Sequence, residues 1–172
     1  MKMIMLETER LVLRNYTMND IPAVHDYFSN EDVARYEDFY PMTMEEVKKE
    51  LTEWKDMDNR MAVQLKESGE LIGSVGYWVD DNGKYSIDYD FNPKFQNKGY
   101  ATEAAKEVIR HLTEDLHVKE IYGDCDERNT DSSNLLLRLG FKKIYKNENA
   151  SYQNDAAGNP IIITVNVYQY KV

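Results

Sequence analysis

Hydrophobic and polar positions along the chain follow two rhythms, and the switches between them outline the elements. Leu11-Val12-Leu13-Arg14 reads as a strand. Asn19 or Asp20 then stands where a helix cap is expected, with Pro22 in the first turn and Val24, Tyr27 and Phe28 along the body. Thr43 opens a Thr-x-x-Glu capping box with Glu46, and Val47, Leu51 and Trp54 follow at helical spacing. Strand-like runs come next over 61–65, 71–79 and 85–91. Turns at Glu67-Ser68-Gly69-Glu70 and Asp80-Asp81-Asn82-Gly83 separate them, so an antiparallel meander is predicted. A helix is predicted from about Thr102, with Ala104, Ala105, Val108, Ile109, Leu112 and Leu116 as one apolar stripe. A strand over 119–125 precedes a helix over about 132–139, for which Gly140 is the C-cap. Two last strands, over about 141–146 and 161–170, flank a polar segment with Gly158 and Pro160.

This order predicts an α/β or α+β fold in which helices cover both faces of a mixed central sheet. The 172 residues suit one domain spanning 1–172, and no repeat, low-complexity tract or linker interrupts them. A hydrophobic fraction of 42% and a charged fraction of 30% are those of an ordinary soluble protein. No apolar run approaches the roughly 18 residues of a membrane span. Residues 1–6 are soon followed by charge and predict no secretory leader. The single cysteine, Cys125, precludes an internal disulfide and a Cys-rich metal site, and a cytoplasmic location is expected. A net charge of -10 argues against a nucleic-acid partner. It suits a cationic substrate, although plain solubility is the competing explanation. No membrane partner is expected, and oligomeric state is left open, a homodimer included.

The stretch from Phe91 through Asn92-Pro93-Lys94-Phe95-Gln96-Asn97-Lys98-Gly99-Tyr100-Ala101-Thr102 carries the clearest chemical signal. A strand ends, a short loop follows and a strongly amphipathic helix starts. Amides at such a start lack intrahelical partners and point outward with the positive end of the helix dipole, where a phosphate fits. Gly99 admits a ligand close to the backbone, Ala101 keeps the next side chain small, and Lys98 adds positive charge. Neither the P-loop pattern nor the dinucleotide-binding glycine fingerprint is present. A glycine before a helix is also a common turn residue.

Gln96-Asn97-Lys98-Gly99-Tyr100-Ala101 resembles the Gln/Arg-x-x-Gly-x-Gly/Ala motif of the GNAT acetyltransferases. Thr8-Glu9-Arg10-Leu11-Val12-Leu13-Arg14 is similar to the opening strand of the branch containing the ribosomal-protein N-terminal (alanine) acetyltransferases. Asn129-Thr130-Asp131-Ser132 with Leu139-Gly140-Phe141 resembles a further segment of that branch at matching spacing. The resemblance implies a GNAT-like, mostly antiparallel sheet, splayed in the middle between the strands 85–91 and 119–125. It implies acetyl-CoA as co-substrate, with no metal. The pantetheine arm would pair with backbone near Phe91. The pyrophosphate would sit on Gln96, Asn97, Lys98, Gly99, Tyr100 and Ala101, beside Thr102. Asn129 and Ser132 would flank the thioester.

The resemblance has gaps. A tyrosine that protonates the leaving thiolate in many GNAT enzymes is replaced by Leu136, which leaves Ser132 or water as the acid. Ser86 and Asp88 stand where the branch often has Glu and Gly, so the general base is open among Asp88, Asp90, Asp124 and Asp126, with Asp88 the first choice. By strand alternation Asp88 and Asp90 share a face, as do Asp124 and Asp126. Each of the four also reads as a solvated surface group. Two carboxylates without a histidine make no metal site, and His25, His111 and His117 show no ligand spacing. Ser132 also reads as a helix N-cap and Asn129 as a turn residue. Cys125 reads as a buried strand residue. Tyr36 and Glu37, in an aromatic cluster with Phe39 and Tyr40, are expected to contact the acceptor, with Asp90 and Asp124. As the alternative, that cluster anchors a loop. The expected reaction moves acetyl from acetyl-CoA to a primary amine by direct attack in a ternary complex. The acceptor is a small cationic amine or a protein N-terminus. The alternative function is a non-catalytic acyl-CoA-binding sensor or interaction module.

Overall fold

The computed structural model describes residues 3–172; Met1 and Lys2, part of the stretch expected to carry no leader, lie outside the described residues. The strands are β1 (Met5–Glu7), β2 (Leu11–Arg14), β3 (Arg60–Leu65), β4 (Leu71–Val79), β5 (Tyr85–Phe91), β6 (Glu120–Asp126), β7 (Lys142–Ala150) and β8 (Ile163–Lys171). The helices are α1 (Ile21–Phe28), α2 (Glu31–Ala34), α3 (Met44–Trp54), α4 (Tyr100–Arg110) and α5 (Thr130–Arg138). The strands form one sheet in the order β1-β2-β3-β4-β5-β6-β8-β7. Every neighbouring pair is antiparallel except β5 and β6, which run parallel.

Side-chain alternation on β3 explains the layering. Met61 and Val63 are buried with Ala104, Val108 and Leu112, whereas Ala62 between them is buried with Val24, Phe28 and Leu51. Helices α1 and α3 therefore cover one face, and α4, with Leu135 and Leu136 of α5, covers the other. The fold is the α+β arrangement the order of elements predicts.

The parallel junction positions the site. Tyr85 pairs with Ile121 and Ser86 with Tyr122, and no further pair joins β5 to β6. Beyond it the two strands diverge, yet neither is frayed. β5 stays paired with β4 as far as Phe91 opposite Gly73, and β6 stays paired with β8 as far as Asp126 opposite Val165. The split is held open from its two outer sides.

Local chemistry accounts for most boundaries. Thr43 and Glu46 close the expected capping box, with Glu46 N–H donating to the Thr43 hydroxyl at 3.3 Å and Thr43 N–H to the Glu46 carboxylate at 2.7 Å. Asp20 precedes α1 but does not cap it; its side chain accepts from Thr17 N–H, closing a capping box on the preceding turn Met18–Asp20, and from Arg14. Helix α4 begins at Tyr100, two residues before the expected start, because Gly99 takes the left-handed conformation (φ 80) at the cap position. The helix ends in a π turn, His111–Asp115. That wider turn rotates Leu116 off the stripe, and Leu116 is 37% exposed. β1 and α2 fall outside the expected elements. β7 runs past position 146 to Ala150, through residues that read as a polar connector because almost all are exposed.

Thr43→Ala removes a cap whose loss costs about 1 kcal/mol. The expected result is a melting temperature lowered by about 2–4 °C, read by calorimetry; an unchanged value would show that the box adds nothing to α3.

Candidate active site

The loop after β5 is fixed from below before it meets any ligand. Asn92 caps the short turn Pro93–Phe95 by accepting from Lys94 N–H, and its amide donates to Asp26 at 2.7 Å. Gln96 N–H donates back to the Pro93 carbonyl at 3.3 Å, so the run of outward amides begins at Asn97 rather than at Gln96. Asn97 (φ 60) and Gly99 both hold left-handed backbone. Glu103 N–H is the one that closes the first turn of α4, onto the Gly99 carbonyl. The amides of Tyr100, Ala101 and Thr102 precede it and face outward at the positive end of the helix.

The Thr-x-Arg segment ahead of β2 braces this loop. Arg10 donates through Nε to Glu103 at 2.6 Å and through Nη1 to the Lys98 carbonyl at 3.0 Å, and its guanidinium lies 4.5 Å from the centre of the Tyr100 ring. Thr8 and the Arg10 amide also donate to Glu103.

Two cavities open along the split. One, of about 540 Å³, follows the α4 start and is lined by Phe91, Gln96, Asn97, Gly99, Tyr100, Ala101, Thr102, Asn129 and Ser132 among others. These are the residues expected to hold the cofactor, except Lys98, whose ammonium lies 5.5 Å from the Phe95 ring and is not part of the lining. The other, of about 320 Å³, lies deeper between β5 and β6 and is lined by Glu37, Asp38, Asp88, Asp90 and Asp124, with Arg60 as its cation. Tyr36, Glu37, Tyr89, Asp90, Asn129 and Ser132 line both cavities. The cavities meet there.

At the junction Asn129, not Ser132, caps α5: its side-chain oxygen accepts from Ser132 N–H at 3.1 Å. The Ser132 hydroxyl is left for the cleft and for Tyr89, whose hydroxyl is 2.9 Å away. Leu136 packs against Gly123, where an added Cβ would stand 2.7 Å from a Leu136 methyl. Tyr89, Arg60 and Tyr152 were not singled out from the sequence, because only the fold brings β3, β5 and the β7–β8 loop together.

Roofing the deeper cavity are two loops that reach across the split. Gln153 donates to the Phe39 carbonyl at 2.9 Å, Tyr40 donates to the Asn154 carbonyl, and Tyr152 donates to Asp124. Asp126 stands apart from the other candidate bases: it is buried, holds Arg128 and lines neither cavity. Asp88 lines the deeper cavity but not the junction, and pairs with Arg60 at 3.3 Å. Among the described residues no group of three or more His, Cys, Asp or Glu side chains is arranged to hold a metal ion. No helix among them is long and apolar enough to cross a membrane.

A sheet parted between two parallel strands, with a glycine-led helix start beside the gap, is the arrangement of an acyl-group transferase. Residues 10–142 match the family described as Acetyltransferase (GNAT) domain, and the chain belongs to that family. It is an acetyl-CoA-dependent N-acetyltransferase. Over 146 residues it is 30% identical to the uncharacterized N-acetyltransferase p20 of Bacillus licheniformis, across 80% of this chain and 82% of that one. It is 26% identical over 151 residues to the ribosomal protein uS5-alanine N-acetyltransferase of Escherichia coli, across 80% of this chain and 78% of the relative. The GNAT-family acetyltransferase of Bacillus anthracis, at 25% identity, superposes with a TM-score of 0.88 over 98% of each chain.

The crowding of carboxylates shapes the titration of the deeper cavity. Burial, then the charges of Asp90, Asp38, Asp88 and Asp124, push Glu37 up to about 8. Burial pushes Asp90 up to about 6, against the pull of Arg60 and with Asp88 and Asp38 adding to the rise. Arg60 stays charged although burial opposes it, because Asp88, Tyr16 and Asp90 outweigh that cost. Its guanidinium lies 4.0 Å from the centre of the Trp54 ring. Glu37 has a folded-state pKa above its unfolded one, so the native state keeps a proton that the unfolded chain releases. Stability from this group is present below about pH 4 and is lost as pH rises toward about pH 8. The melting temperature is expected to fall across that upper range, and Glu37→Gln to flatten the fall. An equal pH slope in the two proteins would place the Glu37 carboxyl in ordinary solvent.

Proposed function

We propose that the protein, acting as one domain over 1–172, transfers the acetyl group of acetyl-CoA to a primary amine that arrives as a cation. The observation that carries this reading is the meeting of the two cavities at Glu37, Tyr89, Asp90, Asn129 and Ser132. A direct transfer needs donor and acceptor in one cleft, and that meeting point supplies the proximity.

On the donor side, the pyrophosphate rests on the amides from Asn97 to Ala101 at the start of α4, with Gln96 and Thr102 at its edges. The pantetheine arm runs along the unpaired edge of β5 near Phe91 toward Asn129 and Ser132. Lys98 contributes long-range charge rather than contact. On the acceptor side, five carboxylates face one guanidinium, which favours a cation. Tyr36, Asp90 and Asp124 hold the amine. Glu37, at the junction, takes the ammonium proton, and Asp88 with Arg60 fixes the field beneath it. A carboxyl raised to about 8 is better matched to an amine than an ordinary one. Ser132 faces the sulfur that leaves. The protein works in the cytoplasm, where acetyl-CoA is made.

A second acceptor, the N-terminal amine of a protein, is favoured by the 26% identity to the uS5-alanine enzyme. A panel of amines with matched neutral and cationic tails, assayed at two ionic strengths, separates the two. The cationic tails are expected to react with the higher kcat/KM, falling as salt rises, and the rate to climb with pH until about pH 8. Equal, salt-independent rates would sink the cationic acceptor and favour the protein N-terminus. Gly99→Val forces a β-branched residue into left-handed backbone and is expected to weaken acetyl-CoA binding at least tenfold by calorimetry. Unchanged affinity in folded protein would move the pyrophosphate elsewhere.

A further inference from the structure

Collapse of the tetrahedral intermediate breaks the C–S bond and leaves the electron pair on sulfur. A proton delivered there turns the thiolate into a good leaving group. The helix position from which a phenol is expected to deliver it holds Leu136, an apolar side chain packed on Gly123. A phenol nevertheless stands at the cleft, on the opposite wall. Tyr89 projects from β5 at the point where β5 has left β6, and lines both cavities. Its hydroxyl lies 2.9 Å from the Ser132 hydroxyl and 3.3 Å from the Ser132 carbonyl. Asn129 occupies the Ser132 amide but not its side chain. The serine hydroxyl is therefore held between the phenol and the open cleft.

We propose that Tyr89 and Ser132 form a two-member proton relay to the leaving sulfur, the phenol acting through the serine. The step rests on the thioester seating given above. The attacking nitrogen, or a water in its place, forms its bond to the carbonyl carbon, and the C–S bond breaks with its electron pair on sulfur. The Ser132 hydroxyl proton moves to sulfur and yields free thiol. The Tyr89 proton moves to the serine oxygen. The proton shed by the nucleophile, carried by the Glu37 carboxyl and solvent, restores the phenol, so no charge remains. Burial raises Tyr89 above an ordinary phenol, partly offset by its bond to Ser132, so it holds its proton at neutral pH and yields it only as charge develops on the serine oxygen. The gain is at the modest end for acid catalysis, because a thiol is itself fairly acidic.

Release of CoA thiol from acetyl-CoA with water as acceptor tests the relay without any assumption about the amine. Tyr89→Phe keeps the ring and removes only the hydroxyl. Its kcat is expected to fall about tenfold to hundredfold, with KM for acetyl-CoA within about twofold. Ser132→Ala is expected to fall comparably, and the double variant no further than the worse single one. The solvent deuterium isotope effect on kcat seen in the wild type should change in both. Turnover of Tyr89→Phe within about twofold of wild type, a loss wholly in KM, or losses that multiply in the double variant would each overturn the relay. Thiol release by the wild type with no amine acetylated would defeat the acceptor reading and leave the relay standing.

Discussion

Everything in this protein hangs on a sheet that is parallel at one seam for two residue pairs and then lets go. Backbone groups on a buried strand edge are costly to leave unpaired. Between β5 and β6 the inner-edge groups give up that pairing and border the cavities, while each strand keeps its ladder with its outer neighbour, β4 or β8. On the proposed seating, the exposed edge of β5 is the template for the extended, amide-bearing arm of the donor. The loop after β5 then has to turn sharply onto α4. Gly99 and Asn97 make that turn, and Arg10 with Glu103 locks it from β2.

Electrostatics divides the split into two unlike compartments. The α4 end carries outward amides and a helix dipole, a surface for phosphate. The deeper end concentrates carboxylates, and burial first, with the charges of their neighbours adding to it, raises both Glu37 and Asp90. Arg60 keeps the cavity from becoming wholly acidic. It is stacked on Trp54 and shared between Asp88 and Asp90, so it stays charged and fixed in place. On the proposed function, an incoming cation would take the place of a proton on this cluster, so that capture and deprotonation of the amine use one set of groups.

What could be read from the sequence was local. The capping box at Thr43, the meander turns, the α4 stripe and the phosphate loop all follow from neighbours within one or two turns of chain. Elements defined by tertiary contact escaped: β1 is three residues long, α2 four, and β7 carries no buried alternation. The π turn at His111–Asp115 shifted the helical period where a regular count pointed Leu116 inward. The donor side of the site was legible because one continuous motif builds it. Of the deeper cavity, Tyr36, Glu37, Asp90 and Asp124 were named from the sequence, whereas Arg60, Tyr89 and Tyr152 were not, because they come from three separate strands or loops and no spacing along the chain announces their meeting. Asp88 was the sequence's first choice of base and Glu37 only an acceptor contact; the fold sets Glu37 at the junction and Asp88 beneath it.

The roof over the deeper cavity is built from chain segments more than a hundred residues apart, Tyr36 to Tyr40 and Tyr152 to Asn154, tied by hydrogen bonds that use mostly main-chain carbonyls. Main-chain acceptors do not depend on which side chain the residue bears. The donors, however, are the side chains of Tyr40 and Gln153, one in each segment, so the bridge fixes those two residues and leaves the identities of Phe39 and Asn154 free. The loop ahead of α4 is constrained twice, by the left-handed backbone of Gly99 and by the side-chain braces of Arg10 and Glu103. The two compartments are thus held by separate sets of contacts, so a substitution in the roof leaves the loop ahead of α4 untouched, and the reverse.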